Sequence, residues 1–305
     1  MTVGDDTLFP TEQFLEKRFE KLTLNRPRNS MDDAREFGGW AVDKLEILRL
    51  YLTMYRKVAG NGTYIDGFAG TGTIRSGGSE HLGSAGLALK SGAFKSHRYY
   101  ERPRNAKLLR QWLDENATPK KRPRAVVVPG DFNKNILLDL EQEIVPKERP
   151  CFAFLDPNST QLDWATMEAL ANYKSDCTPP DTCKIELWIL FNTWQVLLRL
   201  MPTNGKPPST AGLNRWLGGE KGWLDLYENA RGPTSFADRY AQRIQDELGY
   251  GLARTLIIRD PKNGRPQYHM IHASDHPAAH KFMRWAANKA HPADSAAVSF
   301  PNMRG

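Results

Sequence analysis

From Thr63 onward the chain alternates short, mostly apolar runs with stretches of helical periodicity, and this rhythm limits the possible folds more than any other feature. The runs are Thr63 to Phe68, His97 to Tyr100, Arg124 to Val128, Cys151 to Leu155 and Ile185 to Phe191. Between and after them, Ser84 to Ala93, Asn105 to Asn116, Asn133 to Glu143, Asp163 to Lys174 and Trp194 to Met201 read as helices, with Asp163 expected as an N-cap. An amphipathic helix carrying Leu45, Leu48, Tyr51, Leu52 and Tyr55 precedes the series and ends near Gly60. Strands that are apolar on both faces and separated by helices belong in a parallel sheet covered on both sides. The expected fold is α/β, a doubly wound and mostly parallel sheet. Thr255 to Ile258 and Tyr268 to His272, around the turn Lys262-Asn263-Gly264, read as closing strands that bring the sheet to seven, and Pro277 to Ala290 as a last helix.

This pattern divides the chain. Residues 1–41 lack a sustained period and read as a loosely attached arm. Residues 42–201 and 251–292 form the sheet domain. Residues 202–250, with Pro207-Pro208, Trp216, Trp223 and a helix near Ser235 to Leu248, read as a helical insertion, and 293–305 as a tail. With 305 residues, 40% of them hydrophobic, there is apolar material for one large core and an inserted subdomain. No apolar run is long enough to span a bilayer, and Asp5 and Asp6 stand where a signal peptide needs apolar residues. A soluble, cytoplasmic protein with no membrane partner is expected.

In an open parallel sheet, ligands bind beyond the carboxyl ends of the strands. The first strand ends in Asp66-Gly67-Phe68-Ala69-Gly70-Thr71-Gly72, where glycines let the backbone turn tightly and approach a ligand. The next three end at Glu101, Asp131 and Asp156. Any one of these acids could be a helix cap or turn former. Four at successive strand ends suit a nucleoside, whose hydroxyl and amino groups supply the donors that mutually repelling carboxylates lack. The turn is neither the phosphate-binding G-x-x-x-x-G-K-[ST] nor a strict G-x-G-x-x-G. Glu101 also lies well beyond the offset of roughly 20 residues expected of the ribose acid in NAD enzymes.

The remaining polar signals are weaker. The net charge of +7 gathers at Arg98, Arg102, Arg104, Lys107 and Arg110, and again at Lys120, Lys121, Arg122 and Arg124. A nucleic-acid footprint and a solvated rim both fit it. Cys151, Cys177 and Cys183 form no C-x-x-C pair, and Cys151 opens an apolar run, so it is expected in the core. His269, His272 and His276 follow a strand and turn at spacings that do not converge, so no metal is expected. Trp188, Trp194, Trp216 and Trp223 read as core or cover before they read as platforms for a base.

Taken in order, Asp66-x-Phe68-x-Gly70-x-Gly72, Glu101, Gly130-Asp131-Phe132 and Asp156-Pro157-Asn158 resemble the motifs of class I S-adenosylmethionine-dependent methyltransferases, with their Rossmann-like sheet. More narrowly, Lys44 to Leu48, TYIDGFAGTGT at 63–73, Gly83-Ser84, YYER at 99–102, GDFN at 130–133, FLDPNSTQLDW at 154–164 and YHMIHASDHP at 268–277 resemble the three-Cys-motif partner protein family (TcmP). The resemblance covers most of 42–290. It implies S-adenosylmethionine as cofactor, held by Asp66, Gly67, Phe68 and the Gly70-Gly72 turn at the methionine and ribose, by Glu101 at the ribose hydroxyls, and by Asp131 and Phe132 at the adenine. It also implies a neighbouring partner protein that carries the three cysteines. Asp156, Pro157 and Asn158 would meet the methyl acceptor. Asn158 and Ser159 stand where exocyclic-amine methyltransferases have a second proline and an aromatic ring, which removes the stacking platform for an adenine target. The expectation is a methyltransferase for a nucleic acid or nucleotide-like acceptor. The alternative is a non-catalytic nucleoside-binding partner module.

Overall fold

The computed structural model describes residues 23–24, 36–174, 184–193, 210–259, 264 and 266–290. Strands β1 (Thr23–Leu24) and β2 (Glu36–Phe37) come first, followed by helix α1 (Gly39–Ala59). Then come β3 (Gly62–Asp66), β4 (Thr73–Ser76), β5 (Ser79–Leu82), α2 (Ser84–Ser91), β6 (Phe94–Glu101), α3 (Pro103–Asn116), β7 (Ala125–Pro129) and α4 (Phe132–Glu141). The order continues with β8 (Cys151–Leu155), α5 (Trp164–Asn172), β9 (Glu186–Phe191), α6 (Thr210–Leu217), α7 (Glu220–Asn229), α8 (Pro233–Leu248), β10 (Leu252–Arg259), β11 (Pro266–Ser274) and α9 (Ala279–Ala290).

Seven strands lie in the order β10-β11-β9-β8-β3-β6-β7. Every pairing from β9 to β7 is parallel, and β11 alone runs against its neighbours β9 and β10. This is the doubly wound, mostly parallel, Rossmann-like sheet of the class I methyltransferase fold. The apolar strands have the physical reason proposed for them: successive side chains enter different cores. On one face Tyr64, Phe152, Phe154 and Trp188 pack with α1, α2, α3 and α9. On the other, Ile65, Ala153, Leu155, Ile189 and Phe191 pack with α4, α5 and the helices of 210–248.

Two boundaries differ from the sequence reading, and a second small sheet adds to it. Helix α1 begins at Gly39, so the arm runs into the helix and its limit at residue 41 falls inside α1. Two dipeptides of that arm, β1 and β2, pair with the hairpin β4–β5 in a small second sheet of order β1-β5-β4-β2. Two-residue strands carry too little pattern to be read from sequence. Within the expected insertion, α8 packs on the main sheet: Tyr240 stacks on Phe191 with ring centroids 4.4 Å apart. That helix therefore belongs to the main core. The helix expected over 194–201, Cys177, Cys183, Trp194, the start of the insertion and the tail lie outside the described residues.

Candidate functional site

The chain leaves β3 for β6 and β7 on one side and returns to β8 on the other, so the order of the sheet reverses at β3. A cleft of about 1080 Å³ opens there, beyond the carboxyl ends of the strands, as such a reversal requires. Gly67, Phe68, Gly70, Gly72, Glu101, Asp131, Phe132, Asp156, Pro157 and Asn158 all line it. Of the residues expected at a cofactor or acceptor, only Asp66 does not.

Asp66 ends the central strand with its side chain turned beneath the loop, and it is fully buried. Its carboxylate accepts from the Phe68 N–H (3.4 Å) and the Tyr64 hydroxyl (3.2 Å). Burial pushes its pKa up to about 7. A hydrogen bond from Ser84 opposes that shift, and the charge of Asp156 adds to it. Asp66 therefore supports the turn through the Phe68 N–H.

The turn itself is tightly specified. Gly72 has φ +97°, and a Cβ there would lie 2.6 Å from the Trp112 ring. A Cβ on Gly67 would meet Leu155 at 2.9 Å and the Phe132 ring at 3.1 Å. Gly70 also has a positive φ (+63°), but open space lies where its Cβ would be. Glu101 fastens this turn to the end of β6. Its Oε2 accepts from the Gly70 N–H (2.8 Å) and its Oε1 from the Arg102 N–H (2.7 Å). Asp131 caps α4 through the Lys134 N–H (3.1 Å). Both carboxylates thus serve the backbone as well as facing the cleft. Phe132 is nearly wholly buried, edge-on to Tyr100 and beside Phe68.

Asp156 is ion-paired with Lys44, whose ammonium also lies 6.0 Å from the Phe154 ring centroid and 5.9 Å from that of Tyr268. Lys44 is 6% exposed and lines the cleft from α1. Sequence reasoning missed its role, although the signal was present: Lys44, Leu48, Tyr51 and Tyr55 fall at i, i+4, i+7 and i+11, so this lysine sits on the apolar stripe. A charge on a buried stripe needs a partner.

The loop after Asp156 is held by Asn133. Its Oδ1 accepts from the Asp163 N–H (3.0 Å) and the Thr166 hydroxyl (2.8 Å), and its Nδ2 donates to the Gln161 carbonyl (2.8 Å). Ser159 takes φ +59°, and the Asn158 N–H donates to Gln161 Oε1 (3.1 Å). Asp163 does stand at the N-cap position of α5, but its side chain makes no capping bond; it faces Arg215 of α6 at 3.5 Å. Leu190, Asn192, Gln267 and Tyr268 complete the wall.

The other signals resolve into packing. His269 bonds Thr193 and Thr234, while His272 bonds Glu186 and His280. Among the described residues no group of three metal-ligating side chains forms. Cys151 is buried, which pushes its thiol up to about 12. Trp188, Trp216 and Trp223 lie in the core. Among the described residues no helix is long and apolar enough to cross a membrane.

No family model matches the chain, and no curated protein matches it either. Among solved structures it is similar to protein LPL1258 from Legionella pneumophila, at 10% identity over 83% of this chain and 93% of that one, with a TM-score of 0.49. It is also similar to an O-methyltransferase from Bacillus cereus in complex with SAH, at 14% identity over 88% and 98%, TM-score 0.41. Spermidine synthase from Thermotoga maritima matches at 11% identity over 86% and 72%, TM-score 0.40. The architecture given above rests on the strand order and register of this chain.

Proposed function

We propose that the protein is an S-adenosylmethionine-dependent methyltransferase-like enzyme that acts on a nucleic acid or nucleotide-like acceptor. The observation that carries this reading is one cleft at the reversal point of the sheet, holding the glycine turn, Glu101, Asp131 and the Lys44–Asp156 pair together. The lining fits the cofactor. Gly70 leaves open space on the turn, and Glu101 and Asp131 present carboxylates whose acceptor capacity exceeds the backbone donors they meet. When bound, the cofactor supplies a sulfonium-activated methyl group.

On the acceptor side, Lys44 holds Asp156 Oδ2, which leaves Oδ1 to accept from an attacking N–H or O–H. Asn158, Asn192 and Gln267 present amides of the kind that pair with base edges, and Arg102, Lys134 and Arg215 add cations for phosphates. The second reading, a non-catalytic nucleoside-binding partner of a three-cysteine protein, draws support from Glu101 and Asp131. Each would be retained for its backbone bonds alone.

Calorimetry with S-adenosylmethionine, its demethylated product and NAD tests the cofactor. Both sulfur nucleosides should bind and NAD should not. Asp131→Ala should weaken binding by about 1–3 kcal/mol through lost pairing. Asp131→Ser, which keeps a capping hydroxyl, should show the same loss with helix α4 intact; wild-type affinity in Asp131→Ser would refute the assigned pocket. Incubation with labelled cofactor and separated RNA, DNA and small molecules then tests the acceptor, and label in none of them favours the partner module.

A further inference from the structure

A second cavity, of about 260 Å³, lies at the opposite, amino end of the same sheet. Its floor is the start of β3 and β6, where the Thr63 and Ser96 hydroxyls bond at 2.8 Å. Lys95, Arg98, Arg124 and Arg149 line it, and among the described residues no carboxylate does. Arg98 is neutralised by Asp139, with Nε at 2.7 Å, and among the described residues Arg149 meets only the well-exposed Glu148 at 3.7 Å. Lys95 and Arg124 form no ion pair among the described residues. One wall is apolar and open: Val126 is 42% and Ile144 45% exposed, alongside Pro123 and Pro146.

We infer that this cavity binds a phosphate-bearing ligand of single-nucleotide size. Among the described residues, Lys95 and Arg124 face the hollow without a counter-charge and Arg149 has only an exposed one; a phosphate supplies the missing anion while accepting from the Ser96 hydroxyl. The exposed aliphatic and proline wall gives a planar heterocycle an apolar surface to lie on. Nothing in the methyl-transfer reading uses this end of the sheet, so the inference does not rest on it. The shared chemistry, a base with a phosphate, can come from a free nucleotide or from one unit of a single strand.

The test compares the wild type with Lys95→Ala/Arg124→Ala, whose two side chains are exposed and hold no fold contacts. The probes are uridine monophosphate and a single-stranded oligouridylate of about 12 nucleotides. Uridine is chosen because it lacks the adenine of the cofactor, and any binding on the acceptor side of the cleft is common to both proteins and cancels in the comparison. The wild type should bind at least one probe, and the double variant should lose about tenfold in affinity. For the oligonucleotide, the slope of log K against log salt should fall by about 1.4, from roughly 0.7 per phosphate neutralised. S-adenosylmethionine titrations should be the same for both proteins, which separates this result from the fate of the cleft. Loss for both probes identifies a free nucleotide, and loss for the oligonucleotide alone a strand. Failure of the wild type to bind either probe, or equal affinity in the double variant, overturns the inference.

Discussion

Gly70 and Gly72 lie two residues apart in one turn, yet they meet different constraints. Both have positive φ, but only Gly72 faces a ring, at 2.6 Å from where a Cβ would stand. Gly70→Ala should cost about 1 kcal/mol of stability, the ordinary price of a left-handed alanine. Gly72→Ala must also displace Trp112 and should cost about 3 kcal/mol or more. Thermal melts of the two variants would reverse this ranking if the turn were simply loose. Lys44 gives a second contrast. Lys44→Met leaves a partly exposed carboxylate without its cation and should destabilise by about 2 kcal/mol, and Lys44→Met/Asp156→Leu should recover much of that. A double variant as unstable as the sum of its singles would deny the coupling. The glycines were legible because a turn needs them. The place of Lys44 on the apolar stripe was legible too, but its partner was not, because Asp156 lies 112 positions away in sequence.

At the scale of elements, most strands and helices follow from apolar spacing. Cys151–Leu155 was read to the residue, since five apolar positions, all buried, stand between Pro150 and Asp156. Beyond its carboxyl end, the loop 156–163 depends on one side chain from another element, Asn133 at the start of α4. Asn133→Ala should free the loop, raising amide hydrogen exchange at Asp163 and Thr166 and lowering stability by about 2 kcal/mol for the buried partners left unmatched. Unchanged exchange there would mean that the loop is held by its own turns. No spacing rule could have shown this bond, because it spans 30 residues and two elements.

For the whole molecule, burial decides how stability responds to acid. Burial lowers His97 to about 3, His269 to about 4 and His280 to about 3. As pH falls below 6.5 the unfolded chain takes up protons that the native state refuses, so stability should drop from about pH 6.5 toward 4, by up to about 1.4 kcal/mol per unit for each group. Asp66, raised to about 7, acts in the opposite sense: the native state binds its proton between 3.8 and 7, so that contribution fades as pH rises. Melts from pH 4.5 to 8 should therefore show acid loss that is steeper in Asp66→Asn and shallower in His97→Phe. His97 lies among Tyr64, Phe94 and Tyr99 with an unpartnered Nδ1, so the phenylalanine should also cost nothing at pH 8. Parallel curves for all three proteins would remove these groups from the account. The sequence by itself determined the layered α/β architecture and the acids at the strand ends, because both are periodic and local. Only the tertiary structure decided which acids face the cleft, that Asp66 lies beneath it, that Lys44 completes it, and that a cationic hollow occupies the other end of the sheet. Those outcomes depend on which distant segments meet, and side-chain periodicity carries no record of that.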